Sequence, residues 1–85
     1  MRAERIKEEL LQINPDALLA DGFDHALVAY VSTKGRPTVA LYDYDACLRI
    51  LIERDDMERD EAEEFMEFNV VDAYMGENTP SFAHF

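Results

Sequence analysis

The sequence predicts an α+β fold: an N-terminal helix and a short helical turn, one β-hairpin, two C-terminal helices and an ordered C-terminal tail. Three observations carry that prediction. Apolar residues recur at helical spacing near the N-terminus, and two β-rich runs flank the loop TKGRP. The second half is helix-periodic, first apolar around most of its circumference and then split between an apolar and an acidic side. At 85 residues the chain has room for a single domain, 1–85. A domain of this size buries only roughly 60% of its unfolded surface, so its stability margin is thin. A hydrophobic fraction of 48% is too high for a disordered chain.

Ala3, Ile6, Leu10 and Ile13 share one face, which predicts an amphipathic helix over 2–13. Asn14-Pro15 stops it and sets up a short helical turn through PDALLA, with Asn14 as N-cap and Pro15 at the first helical position. Gly22 suits the left-handed residue that ends such a turn. The runs ALVAYVS (26–32) and TVALY (38–42) predict the hairpin, with Gly35 in its loop and Pro37 confined to the start of its strand. Asp43 is placed to cap the next helix, Tyr44 to about Arg54, whose nearly all-round apolar surface predicts the most buried helix. Asp55-Asp56 breaks it, and a last helix is expected from about Arg59 to Met75, closed by Gly76.

On that last helix, Ala62, Phe65, Met66, Asn69, Val70 and Ala73 fall on the predicted core face, with Asn69 expected as a buried, hydrogen-bonded amide. Phe68, Val71 and Tyr74 fall on the outer side, where an apolar surface requires a cover: the tail ENTPSFAHF, anchored by Phe82 and Phe85, or another chain. A lone hairpin is marginal in water and its edges invite pairing, so a homodimer with an edge-to-edge four-stranded sheet is expected.

Charge is the strongest compositional signal. The net charge is −11, and residues 53–85 carry eleven acidic and two basic groups, or −9 of it. Direct contact with a nucleic-acid backbone or an anionic membrane surface is therefore not expected, because both need clustered Lys and Arg. No apolar run approaches the ~20 residues of a membrane span. The opening MRAERIKEEL lacks the apolar centre of a signal peptide, and a single cysteine, Cys47, rules out an internal disulfide. A reducing, cytoplasmic setting is the expectation.

The stretches DGFDHALVAYV, ALYDYDACLRILIERDDM and DEAEEFMEFNVVDAYMGENTP resemble a widespread family of small, uncharacterised bacteriophage- and prophage-encoded proteins. The resemblance covers about Asn14 to Phe82 and brings no enzyme signature. It implies a product active in the cytoplasm of an infected bacterium. The family commonly has Asp-Gly, Met and a Thr or Ser cap before the last helix; this chain has Asp55, Asp56, Met57 and Glu58 there. A left-handed Asp56 would cost energy, and Glu58 forgoes a hydroxyl cap worth about 1 kcal/mol while adding a carboxylate that favours the helix N-terminus.

Candidate chemistry is sparse. Asp56, Glu58, Asp60 and Glu67 fall at positions 1, 3, 5 and 12 of a calcium-loop window, but its sixth position needs Gly and holds Glu61. His25 and His84 stand beside no nucleophile motif, and Cys47 lies in an apolar helix as a small core hydrophobe. No catalytic residue, cofactor or metal ligand is assigned, and no enzyme is expected. The expected function is protein–protein binding by a small acidic accessory protein. Glu53, Asp56, Glu58, Asp60, Glu61, Glu64 and Glu67 would form a line of negative charge that docks on a basic protein surface. A host nucleic-acid-binding or defence protein would then be inhibited by a surface that mimics nucleic acid. The alternatives are an oligomeric assembly protein using Phe68, Val71 and Tyr74, or a small-nucleotide sponge whose dimer joins two Arg36 side chains.

Overall fold

A computed structural model describes residues 2–71 and 75–85, Val71 by its backbone alone. Its elements are α1 (Arg2–Ile13), a 3₁₀ turn (Asp24–Ala26), β1 (Leu27–Val31), β2 (Val39–Asp43), α2 (Tyr44–Arg54), α3 (Arg59–Phe65) continuing into a π-helical segment (Met66–Val71), and β3 (Ser81–Ala83). This is the expected α+β class, with helices on one side of a small sheet.

The hairpin forms where the β-rich runs place it. β1 and β2 pair antiparallel with Val31 opposite Val39 and Tyr30 opposite Ala40, and a bulge at Val28 shifts the register before Leu27 meets Tyr42. The sheet then departs from expectation. The tail adds β3 parallel to β2, Phe82 opposite Tyr42, in the order β1-β2-β3. The free edge of β2 is thus covered within one chain, so the premise of a lone hairpin no longer holds.

Asp43 ends β2 and caps α2, its Oδ1 accepting the Ala46 N–H at 3.2 Å. α2 drives Tyr44, Cys47, Leu48 and Leu51 into the core. There they join Leu10 of α1, Tyr42 of β2 and Ala62 and Met66 of the last helix. Tyr42 is fully buried, stacks on Phe82 at 5.7 Å, and accepts the Ala20 N–H on its hydroxyl at 2.8 Å.

The PDALLA segment is extended and turned, not helical, as the direction of its hydrogen bonds explains. Asn14 keeps its capping character, accepting the Asp16 N–H at 3.2 Å, but the donors that would continue a helix go elsewhere. The Leu18 N–H bonds the Asn78 carbonyl at 3.1 Å and the Ala20 N–H bonds Tyr42. Asn14 Nδ2 adds bonds to the Thr38 carbonyl and to Asn78 Oδ1, both 2.9 Å, joining the end of α1, the start of β2 and the turn before β3.

The last helix also differs. It begins as expected at Arg59 but winds wider from Met66 to Val71, where the sequence changes from Glu- and Ala-rich to Phe-Asn-Val-Val, weaker α-helix formers. Residues 72–74 of the expected helix lie outside the described residues. Gly76 has the left-handed φ of 99°, and the Thr79 hydroxyl closes the turn onto its carbonyl.

The α2–α3 break is sharp because Asp56 is left-handed, with φ 57°, which returns Met57 over the core with its N–H 3.4 Å from the Leu51 carbonyl. Arg54 fixes the same corner by gripping Asp55 through two 3.0 Å bonds, donating to the Gly22 carbonyl at 2.7 Å and lying over the Phe23 ring. A left-handed L-residue is strained, and Asp is only partly exempt. Asp56→Gly is expected to raise unfolding free energy by about 0.5–1 kcal/mol, and Asp56→Ala to lower it by about 1 kcal/mol. Urea denaturation with an unchanged slope checks the order Gly, Asp, Ala; equal midpoints for all three would remove the strain argument.

Candidate functional site

Helical spacing decides which acids act together. Asp60 and Glu64 stand four residues apart, with Glu61 three before Glu64, so one stripe of α3 carries these three, and Phe68 of the π-helical extension lies beside it. Together with Glu58 and Phe65 they surround a shallow concavity of about 680 Å³. Glu58 is the N-cap residue, and its N–H is bonded at 3.3 Å by the Glu61 carboxylate reaching back, which ties the first turn together. Negative side chains here also favour the positive end of the helix.

The nine acids between Ile52 and Phe68 separate into distinct groups. Asp55 is held by Arg54, whose hydrogen bonds and charge keep its carboxyl below the usual range. Glu63 faces Arg59 at 4.0 Å in an exposed pair worth little. Glu67 turns toward α2, where it accepts the Tyr44 hydroxyl at 3.1 Å. Burial and that bond both raise the Tyr44 phenol above its ordinary range. Glu53 lies in the last turn of α2 and Asp56 occupies the corner; both are exposed and neither lines the concavity. That leaves Glu58, Asp60, Glu61 and Glu64, all exposed and none in an ion pair among the described residues.

Of the expected partner-contact residues, the structure therefore brings four together and separates Glu53, Asp56 and Glu67 from them. It adds Met57 and Phe65 as apolar floor. Phe68 is 71% exposed, since the tail that was a candidate cover lies on the sheet as β3. Tyr74 and the side chain of Val71 lie outside the described residues. Asn69, expected in the core, is exposed at the rim of the concavity. The cause is the wider winding. Counted from buried Met66 at 100° per residue, Asn69 would sit near the core face. At roughly 80–85° per residue in an i→i+5 helix it swings well away, while Val70 stays close to the core. Only the run of weak helix formers hints at this.

No family model, curated protein or solved structure matches the chain.

The nucleophile candidates are placed as follows. Cys47 is fully buried, and burial pushes its thiol up to about 12. His84 packs its ring on Tyr44 at 4.3 Å, and His25 is exposed on the 3₁₀ turn. Among the described residues no group of His, Cys, Asp and Glu is arranged to hold a metal ion. The raised Cys47 pKa stabilises the fold fully below the unfolded thiol's pKa, and this contribution fades as pH rises toward about 12. Cys47 should accordingly resist thiol reagents in the native protein at pH 8 and react in about 6 M urea. Rapid stoichiometric labelling without denaturant would show that the thiol is accessible.

Proposed function

We propose that this chain is a non-enzymatic binding protein that docks on a basic protein surface through the α3 concavity. The observation that carries the reading is the union of Glu58, Asp60, Glu61 and Glu64, without ion-pair partners among the described residues, with the 71%-exposed ring of Phe68. Carboxylates alone give steering and salt dependence; an exposed aromatic among them supplies apolar area for a short-range anchor. From Glu58 to Glu64 the chain carries five acids and one base, a net of −4. At 1.5 Å of rise per residue that is one net charge per roughly 2.6 Å of helix axis, of the same order as the ~1.7 Å of duplex DNA. This density supports a surface that occupies a nucleic-acid-binding groove. With the resemblance to phage proteins, it favours a host nucleic-acid-binding or defence protein in the bacterial cytoplasm as the target. Among the described residues, no helix is long and apolar enough to cross a membrane.

A structural or assembly role is the second reading, favoured by the exposure of Met75, at 72%, in addition to Phe68. Salt separates the two, because screening weakens charge contacts while leaving apolar burial intact. Immobilised wild-type chain, Glu61→Lys/Glu64→Lys and Glu67→Lys would be challenged with bacterial lysate at about 50 and 500 mM salt. The expected result is a partner held by wild type and by Glu67→Lys, and released by high salt or duplex DNA. Glu61→Lys/Glu64→Lys should bind it at least ~10-fold more weakly. Equal capture by the Glu61→Lys/Glu64→Lys variant would sink the proposal.

A further inference from the structure

The helix that carries the candidate site changes its winding at Met66. Ala62 and Met66 are both fully buried, and the direction midway between them is the one in which the helix meets the core. Continued as an α-helix, Asn69 would point about 40° from that direction and Val70 about 60°. At the roughly 80–85° per residue of i→i+5 winding, Val70 comes to within about 10° of it and Asn69 swings to about 90°. The observed burial follows the second pattern. Val70 packs against the core, and Asn69 is exposed at the rim of the acidic concavity.

Three features of the segment bear on this winding. Phe68, Val70 and Val71 are weaker α-helix formers than the Glu and Ala before them, which lowers the α form without favouring any face. Glu67 accepts the Tyr44 hydroxyl at 3.1 Å, a single bond to an exposed carboxylate. Asn69 alone separates the two windings by what enters the core. The core beside Met66 is apolar, and its phenol oxygens, on Tyr42 and Tyr44, already bond Ala20 and Glu67. An amide turned inward there loses water without a matching partner, whereas Val70 in its place buries apolar area.

We propose that Asn69 sets the winding of residues 66–71: its amide is kept out of the core, the helix widens from Met66, and Val70 takes the inward place. One residue thereby couples the core to the surface. The rotation that seats Val70 is the same one that delivers the amide to the rim of the concavity that Phe68 also lines. Rewinding to α would withdraw it. A partner that hydrogen-bonds the amide at the rim stabilises the wide form, a consequence that rests on the docking reading above.

Scalar couplings across hydrogen bonds, measured by NMR on the isotopically labelled full chain, report the winding directly. No partner is present, so this test and the docking test fail independently. In wild type the Val70 and Val71 N–H groups should couple to the Phe65 and Met66 carbonyls, the i→i+5 pattern. In Asn69→Leu they should couple to Met66 and Glu67, the α pattern, with a thermal midpoint at or above that of wild type. Asn69→Gln, which keeps the amide, and Tyr44→Phe, which frees Glu67, should both retain the wide pattern. Pairing of the α kind in wild type overturns the proposal. So does wide pairing or a lowered midpoint in Asn69→Leu, which would assign the winding to the weak helix formers. Loss of the wide pattern in Asn69→Gln or Tyr44→Phe overturns it as well, the latter in favour of the Glu67 bond.

Discussion

The burial of Tyr42 holds this domain together. Its ring is fully enclosed, stacked on Phe82 of a strand contributed from forty residues downstream, and its hydroxyl accepts the Ala20 N–H from a segment twenty-two residues upstream. A phenol costs free energy to bury unless its oxygen finds a partner, and Ala20 supplies one. One side chain thereby fixes the inward face of the sheet, the course of the 18–20 segment and the seat of the tail. Its strand then runs into Asp43, the cap of the most buried helix, so strand and helix are oriented by the same few residues.

Small domains without disulfides must order their loops by other means, and this one uses side-chain hydrogen bonds at two corners. Asn14 joins α1, β2 and the turn before β3. Arg54 joins the end of α2 to the Gly22–Phe23 corner while holding Asp55. Each polar group satisfies backbone that secondary structure leaves unpaired, and no buried side-chain nitrogen or oxygen among the described residues lacks a partner. Lys7 does similar work on the sheet side, bonding Asp24 at 2.7 Å, and that bond raises its pKa.

What was legible in the sequence was local. The period of Ala3, Ile6 and Leu10 located α1 at Arg2–Ile13, β-branched runs gave the hairpin within a residue or so, and Asp43 announced its cap. What was illegible depended on distant partners. PDALLA has the signature of a helical turn, yet its amide donors are claimed by Asn78 and Tyr42. β3 is too short for alternation to show, and parallel pairing leaves no turn in the sequence to mark it. Of the candidate site, the acidic stripe was readable because helical spacing holds through α3. The placing of Asn69 was not, because the winding changes at Met66, beyond which a 3.6-residue period no longer assigns faces.

The acids of α3 stand apart from the interactions that hold the fold. Mutual repulsion within a chain of net charge −11 opposes compaction, and a scaffold that selected only for stability would thin it out. Here the carboxylates of Glu58, Asp60 and Glu64 add no ion pair to the fold among the described residues, and they lie on α3, away from the strands. Glu61 alone is used internally, reaching back to the Glu58 N–H and tying the first turn on which the others stand. The Arg54 corner and that capped turn fix the spacing of the remaining acids, so their repulsion is a standing cost to the isolated chain that only positive groups from outside it would offset.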